Sequence, residues 1–295
     1  METNSKPYYF IREAAEWTGL TEQIIRKWEN RYQIIEPKRL DNGYRVYTHD
    51  DLLTLKLLKA YRDEGKSMKQ AIGLLEHQQL NAGLFQPSHA VERSPYVEQL
   101  IEFGAVYDED KLFFLLNKSN HEYGLDLFLQ NTVQPFLHQI GMLWENGEWD
   151  ESQETVSSLV VKDFLTNIMR SFNNGPHARH ALGFCLPYER HEIPLQIILL
   201  RLKMRGWRTT MIGASPKYTS IESLVQQIQP QVVLLSATTT IPFREDEQLL
   251  THLDQLAMKY NHIAFHIGGR GAWEYTRIFK PEYIRVSGTV EDIAE

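Results

Sequence analysis

Residues 10–32 read FIREAAEWTGLTEQIIRKWENRY, and residues 36–51 read EPKRLDNGYRVYTHDD. Ala14, Ala15 and Trp17 give the first stretch an apolar side, and Gly19 then punctuates it. Thr21 is placed to N-cap a second helix, because its hydroxyl can accept from a first-turn amide. Ile24, Ile25 and Trp28 recur at helical spacing, which predicts that all three bury against the first helix. Gln23, Arg26, Lys27 and Arg31 then face solvent. Two short helices about a glycine turn form a helix-turn-helix pattern. In the second stretch Asn42-Gly43 favours a type I′ turn, since both central positions need positive φ. Lys38, Arg39 and Leu40 lead into that turn, and Tyr44, Arg45, Val46 and Tyr47 lead out of it as strand formers. The result is a small hairpin carrying three cations and two tyrosines, one of which should pack beneath it. Thr48 can cap a helix running to about residue 64, and Ser67-x-x-Gln70 is a capping box for another.

IRKWENRY followed by DNGYRVYTHDDL closely resembles the MerR family of winged-helix regulators. The resemblance spans about residues 8–77 and implies that the second helix enters the major groove while the wing grips the backbone. It implies contacts to phosphates or base edges from Gln23, Arg26, Lys27 and Arg31 on the helix and from Lys38, Arg39, Tyr44 and Arg45 on the wing.

The net charge of −7 looks unfavourable for a nucleic-acid binder, but it is unevenly spread. Residues 1–80 carry 13 Lys and Arg against 12 Asp and Glu, whereas the remainder carries 18 against 26. A near-neutral segment can bind phosphate when its cations share one face, because the local field counts for more than the sum. The lone cysteine, Cys185, excludes an internal disulfide framework and fits a reducing compartment. With no secretion signal and no membrane-length apolar run, the expected location is the cytoplasm.

The expected organisation is multidomain, α and α/β: a winged helix over 1–77, a linker over 78–95, a helical bundle over 96–174 and a doubly wound Rossmann-like domain over 175–295. The linker contains Gly83, Pro87 and Pro95 and shows no period. LIEFGAVY, KLFFLLNK, LDLFLQNTVQPFLHQIGMLW and TVSSLVVKDFLTNIM each carry apolar residues at helical spacing, with Pro135 expected to kink the third. Within this bundle Trp144 is followed by Glu154 across residues 145–153. The spacing resembles the Trp-x9-Glu-His signature of the helical cap over cobalamin in cobalamin-responsive regulators, which implies a cofactor-facing role for Trp144 and Glu154. Thr155 stands in place of that family's histidine. Glu145 stands where its light-responsive members carry the histidine that captures cobalt.

Beyond Gly175-Pro176 the period changes. ALGFCLP, WRTTMIG, QVVLLSA, HIAFHIGG and YIRVSG read as strands, separated by helices at LQIILLRLKMRG and around 219–229 and 243–260. Alternation of this kind gives a parallel sheet with ligands beyond the carboxyl ends of the strands. The loops at that rim hold Glu189-Arg190-His191, Gly213-Ala214-Ser215, Ser236-Ala237-Thr238 and Gly268-Gly269. They resemble the cobalamin-binding signature, Asp/Glu-x-His-x-x-Gly with a Ser-x-Thr-like loop and a Gly-Gly loop. By that resemblance His191 is the axial ligand of cobalt, Glu189 orients its other ring nitrogen, and Ser236, Thr238, Gly268 and Gly269 line the slot for the nucleotide tail. Pro194 occupies the place of the motif's glycine.

DNA reader, helical cap and cobalamin-type fold follow one another as in the MerR-type repressors that sense adenosylcobalamin, often as light sensors. That resemblance implies a repressor of double-stranded operator DNA, forming a dimer or tetramer under control of the cofactor. Two alternatives stand beside it. One is a regulator whose cobalamin fold has lost the cofactor or reads another signal. The other, from a different class, is a cobalamin-dependent methyltransferase or mutase module, which would need a substrate-activating domain that residues 1–95 do not offer. A winged helix that binds protein is a third reading, against which the basic wing counts. Among the histidines no metal-site spacing is evident, and no catalytic motif is present.

Overall fold

A computed structural model describes residues 8–72, apart from 33, 36, 41–43, 64 and 69, and residues 94–294. Within the helices the side chains of residues 30, 31, 50 and 294 also lie outside the description. The expected turn at Asn42-Gly43, the side chain of Arg31 and the linker up to residue 93 therefore fall outside the described residues. The chain divides into two compact units, one of residues 8–72, 184–191 and 213–288, the other of 94–183, 192–212 and 289–294.

In the first unit α1 (Ile11–Thr18) and α2 (Glu22–Tyr32) are followed by α3 (His49–Asp63). Thr21 caps α2 as its position predicts, its Oγ1 accepting from the Ile24 amide at 3.3 Å. Thr48 and Asp51 exchange bonds at the start of α3, and Ser67 and Gln70 form the second capping box. Strands β1 (Tyr9–Phe10), β2 (Lys38–Arg39) and β3 (Arg45–Tyr47) make an antiparallel sheet in the order β1-β3-β2. Tyr9 pairs with Tyr47 and Arg39 with Arg45. The core beneath holds Ala14, Ile25, Ile35, Tyr47, Leu52 and Leu55. Ile24 does not join it. One residue along the helix from the fully buried Ile25, it turns outward and is 36 % exposed, because a 100° step carries it past the edge of the buried stripe. Trp28 is half-buried and bridges this core to a second cluster around Leu58 and Tyr61.

In the second unit α4 (Tyr96–Gly104), α5 (Glu109–Tyr123), α6 (Leu125–Phe128), α7 (Gln134–Glu145) and α8 (Glu151–Ser171) form the bundle. Its core includes Leu100, Leu116, Phe128, Phe136 and Phe164. The break expected at Pro135 is a π-helical turn, Leu129–Val133, immediately before it. Proline has no amide to give the carbonyl four residues back, and its ring crowds that carbonyl. Here the carbonyl belongs to Asn131 and accepts from the Ser94 amide at 3.3 Å. Ser94 and Pro95, read from sequence as linker, are thus part of the bundle: Ser94 is buried and Pro95 caps α4.

The large sheet has strands β4 (His180–Cys185), β5 (Arg208–Ile212), β6 (Val232–Ser236), β7 (Ala264–Gly268) and β8 (Ile284–Val286) in the order β5-β4-β6-β7-β8. Strands β6, β7 and β8 are parallel, with Ser236 opposite Gly268. Every residue of β6 is buried, as a strand covered on both faces requires. The helices are α9 (Ile193–Met204), α10 (Tyr218–Ile228), α11 (Ile241–Glu245), α12 (Leu249–Lys259), α13 (Arg270–Thr276) and α14 (Glu291–Ala294). The single helix expected around 243–260 is two, α11 and α12, separated at Asp246, which leaves helical backbone angles. The order of strands reverses between β4 and β6, the switch point beside which sheets of this kind bind ligands.

Ser119 Oγ and Thr132 Oγ1 meet at 2.7 Å, both fully buried in the bundle. Thr132→Val strands the Ser119 hydroxyl and should cost about 1–3 kcal/mol. Adding Ser119→Ala should recover most of that loss, as read from urea midpoints of the two variants.

Candidate functional site: a charged loop hub and a DNA-reading face

The loop after β4 is organised around one carboxylate. Glu189 has no exposed surface, and its Oε1 accepts from the amides of Arg190 and His191, both at 2.8 Å. The same oxygen accepts from His191 Nδ1 at 2.5 Å. Its Oε2 accepts from the amide and hydroxyl of Thr239, at 2.9 and 3.3 Å, in the loop after β6. Its backbone carbonyl accepts from the Ser215 amide in the loop after β5, while Ser215 Oγ accepts from the Tyr188 amide. One residue thus ties three rim loops together. Burial alone would raise the Glu189 pKa, but the bonds from His191 and Thr239 outweigh it and hold the pKa below the ordinary carboxylate range.

His191 lies on the open side of this hub, its side chain 58 % exposed. A carboxylate can only accept, so Nδ1 carries the proton and Nε2 is the nitrogen that can ligate a metal. The Cys185 thiol donates to the His191 carbonyl at 3.7 Å and steadies the same turn. Pro194 stands in the first turn of α9, where its missing amide would have had no helical partner.

The Ser236 and Thr238 hydroxyls are buried and have no hydrogen-bond partner among the described residues. Each such group costs about 1–3 kcal/mol unless something polar meets it. Gly269 has φ +101°, and a Cβ there would lie 2.4 Å from the Ala237 carbonyl oxygen. Gly271, which sequence reasoning missed, is tighter still: a Cβ would lie 2.0 Å from the Thr239 carbonyl. The loops after β6 and β7 touch backbone to backbone, and only glycine permits it. Thr239 was also missed. The run Thr238-Thr239-Thr240 directly after a buried strand was its one visible signal. Among the described residues no group of three His, Cys, Asp or Glu could hold a metal, so a metal at His191 would have to arrive with its own ligand set.

In the bundle Trp144 ends α7 with half its surface exposed, and Glu145 beside it is exposed. Trp149, by contrast, is core. Glu154, in the first turn of α8, accepts from the Ser158 hydroxyl at 2.7 Å, and Thr155 is exposed.

On the winged helix Gln23, Arg26, Lys27, Lys38, Arg39 and Tyr44 are all exposed. Arg26 pairs with Glu22 one turn earlier, and Lys38 donates to the Tyr8 hydroxyl at 3.2 Å. Arg45 differs. Its Nε lies 2.8 and 2.9 Å from the two oxygens of Glu29 on α2, with both side chains largely buried. The Tyr47 hydroxyl donates to the same carboxylate at 3.4 Å. Burial, with Glu29 beside it, pushes the Tyr47 pKa up to about 12, so it remains a neutral donor. Arg45 therefore clamps the wing to the second helix.

A family model described as the MerR HTH family regulatory protein matches residues 9–78. The HTH-type transcriptional repressor CarH of Myxococcus xanthus is 28 % identical over 290 residues, covering 96 % of each chain. The repressor CarA of the same organism is 24 % identical over 269 residues, covering 90 % of this chain and 88 % of its own. Among solved structures, the monomethylamine corrinoid protein of Methanosarcina barkeri superposes with a TM-score of 0.54 at 12 % identity, over 66 % of this chain and 93 % of that one. Residues 9–78 are a MerR-type helix-turn-helix, and the large sheet with its helices has the cobalamin-binding type of fold. The chain is a DNA-binding transcriptional regulator whose C-terminal sensor module resembles a cobalamin-binding domain. No helix among the described residues is long and apolar enough to cross a membrane.

Two measurements check this geometry. Glu29→Ala removes a negative charge from the DNA-reading domain, yet it should weaken binding to duplex DNA, because the wing loses its clamp. Titrations at two salt concentrations should show the loss at both. For Glu189 the folded pKa is the lower one. Its stabilisation is therefore in full force above the unfolded value, about 4.3, and is lost as the pH falls through the folded value. Glu189→Gln should abolish that acid-side loss of thermal stability and leave a lower plateau at neutral pH.

Proposed function

We infer that the protein is a cytoplasmic repressor that reads operator DNA through the winged helix and senses cobalamin with its C-terminal module. The observation that carries this reading is the Glu189–His191 pair beside two orphaned hydroxyls, Ser236 and Thr238. A buried carboxylate that fixes Nδ1 would leave Nε2 to hold the cobalt. The two hydroxyls would meet polar atoms of the nucleotide tail, with Gly268 and Gly269 lining its slot and Gly269 and Gly271 letting the loops after β6 and β7 come close. Trp144 and Glu154 would take the cofactor-facing role that their spacing implies, and the exposure of Trp144 suits it. When bound, cobalamin would supply a visible chromophore with a cobalt–carbon bond. Glu145, a carboxylate where imidazole would capture cobalt, makes a different response to light the expectation.

On the DNA side Gln23, Arg26, Lys27 and Arg31 would read from α2, and Lys38, Arg39 and Tyr44 from the wing, with Arg45 holding the two together. Domain limits of 1–77 for the winged helix, a linker from 78 that ends before Ser94, a bundle from there to 174 and a sensor over 175–295 would serve this division of labour. Two or four copies joined by the sensor would add the weak contacts of several winged helices into one firm grip. Catalysis is not part of this reading: both whole-length relatives are repressors, and a DNA-reading domain stands where an enzyme would need a substrate domain.

The test is to add adenosylcobalamin to the purified protein in the dark, remove free ligand and record the visible spectrum. Stoichiometric colour in the wild type, with the base-off spectrum of His191→Ala differing from it, is the expected result. No retained colour in the wild type overturns the cobalamin reading and leaves the regulator with another signal.

A further inference from the structure

The rim loops of the sensor run directly into the surface on which the winged helix rests. Thr239, bonded to Glu189, begins this route. Its neighbour Thr240 accepts at its carbonyl from the amides of Phe243 and Arg244, starting α11. The Gly271 amide donates to the Thr238 carbonyl at 3.0 Å, and Ala272 donates to Ala237, starting α13. α11 begins on the loop itself and the first turn of α13 is bonded to it, so a shift of the loop bears on both short helices.

Phe243 of α11 stacks on Tyr275 of α13 with centroids 4.3 Å apart and planes within 5°. Tyr275 stacks in turn on Phe279 at 4.7 Å. Phe279 meets Trp17 of α1 edge to face at 6.5 Å, and the Lys56 ammonium of α3 sits over both rings at 4.4 and 4.5 Å. A parallel contact places Arg277 over Trp273 of α13 and Tyr61 of α3, at 4.6 and 4.3 Å. Beside these contacts a cleft of about 460 Å³ opens between Trp17, His49, Phe243, Tyr275 and Phe279. Among the described residues, these ring and cation contacts seat the winged helix on this surface. Such an interface can be released without unfolding either side.

We propose that the Thr238–Thr240 loop is coupled to the DNA-reading domain inside a single protomer, through the Phe243–Tyr275–Phe279 stack onto Trp17 and Lys56. The occupant of the rim rests on the reading given above, but the coupling does not. Anything that repositions the loop shifts Phe243 and Tyr275, tilts Phe279 and loosens or tightens the seat of the winged helix. Such a route would act before any change in self-association.

The experiment works without cofactor, so failure of cobalamin to bind leaves it intact. Gly271→Ala forces the loop aside, because its Cβ would collide with the Thr239 carbonyl. Thr239→Val is the milder second variant, removing one hydroxyl and keeping the fold. Hydrogen exchange is followed by mass spectrometry in α1 and α3, with β6 and β7 as the folded reference. Phe279→Ala should speed exchange in α1 and α3 several-fold and spare β6 and β7. The loop variants should do the same, and combining either with Phe279→Ala should add nothing further. Unchanged exchange in α1 and α3 on Phe279→Ala overturns the latch. Additive effects in the double variants show two independent perturbations and overturn the coupling.

Discussion

A carboxylate with no exposed surface is an expensive thing to fold around. Glu189 is tolerated because five donors converge on it, from its own turn and from the loop after β6. That requirement shapes the sensor. The loop after β4 must curl so that two successive amides point inward. The loop after β6 must come close enough to deliver Thr239, and the Gly269 and Gly271 contacts follow from the same crowding. The outward face of His191 is a by-product of the same geometry: with Nδ1 held inward, the ring presents its other edge to the crevice.

The winged helix repeats this logic with the opposite sign. Arg45 is a cation drawn out of water, and it is held because Glu29 reaches across from α2. A wing of two short strands has little packing of its own. The ion pair and the buried Tyr47 give it a fixed angle to the helix, which any reader of two adjacent grooves needs.

Much of this was legible in the residues. Periodicity and caps located the helices of the reader, and the apolar runs from Ala181, Val232 and Ala264 located central strands, because both signals come from local physics. The site was legible where a motif fixed the spacing, as for Glu189 and His191. What escaped was tertiary. Ile24 and Ile25 look alike in sequence, and only the direction of the buried stripe separates them. Arg45 and Lys38 look alike as wing cations, but Glu29 takes one of them from sixteen residues away in the chain. Thr239 and Gly271 matter because two loops meet, and a loop–loop approach leaves no period to read. Asn131 and Ser94 exchange a bond made necessary by Pro135, and nothing in the residues around position 94 announces it.

The internal pairing of Arg45 has a bearing on how the protein searches a genome. A cation already neutralised by Glu29 releases few counterions when it nears a phosphate, and Arg26 is partly answered by Glu22 in the same way. A reader of this kind sticks weakly to arbitrary sequence and leaves it quickly. Few copies are then wasted on the bulk of the chromosome, and residence at any one place rests on the contacts made to the bases there.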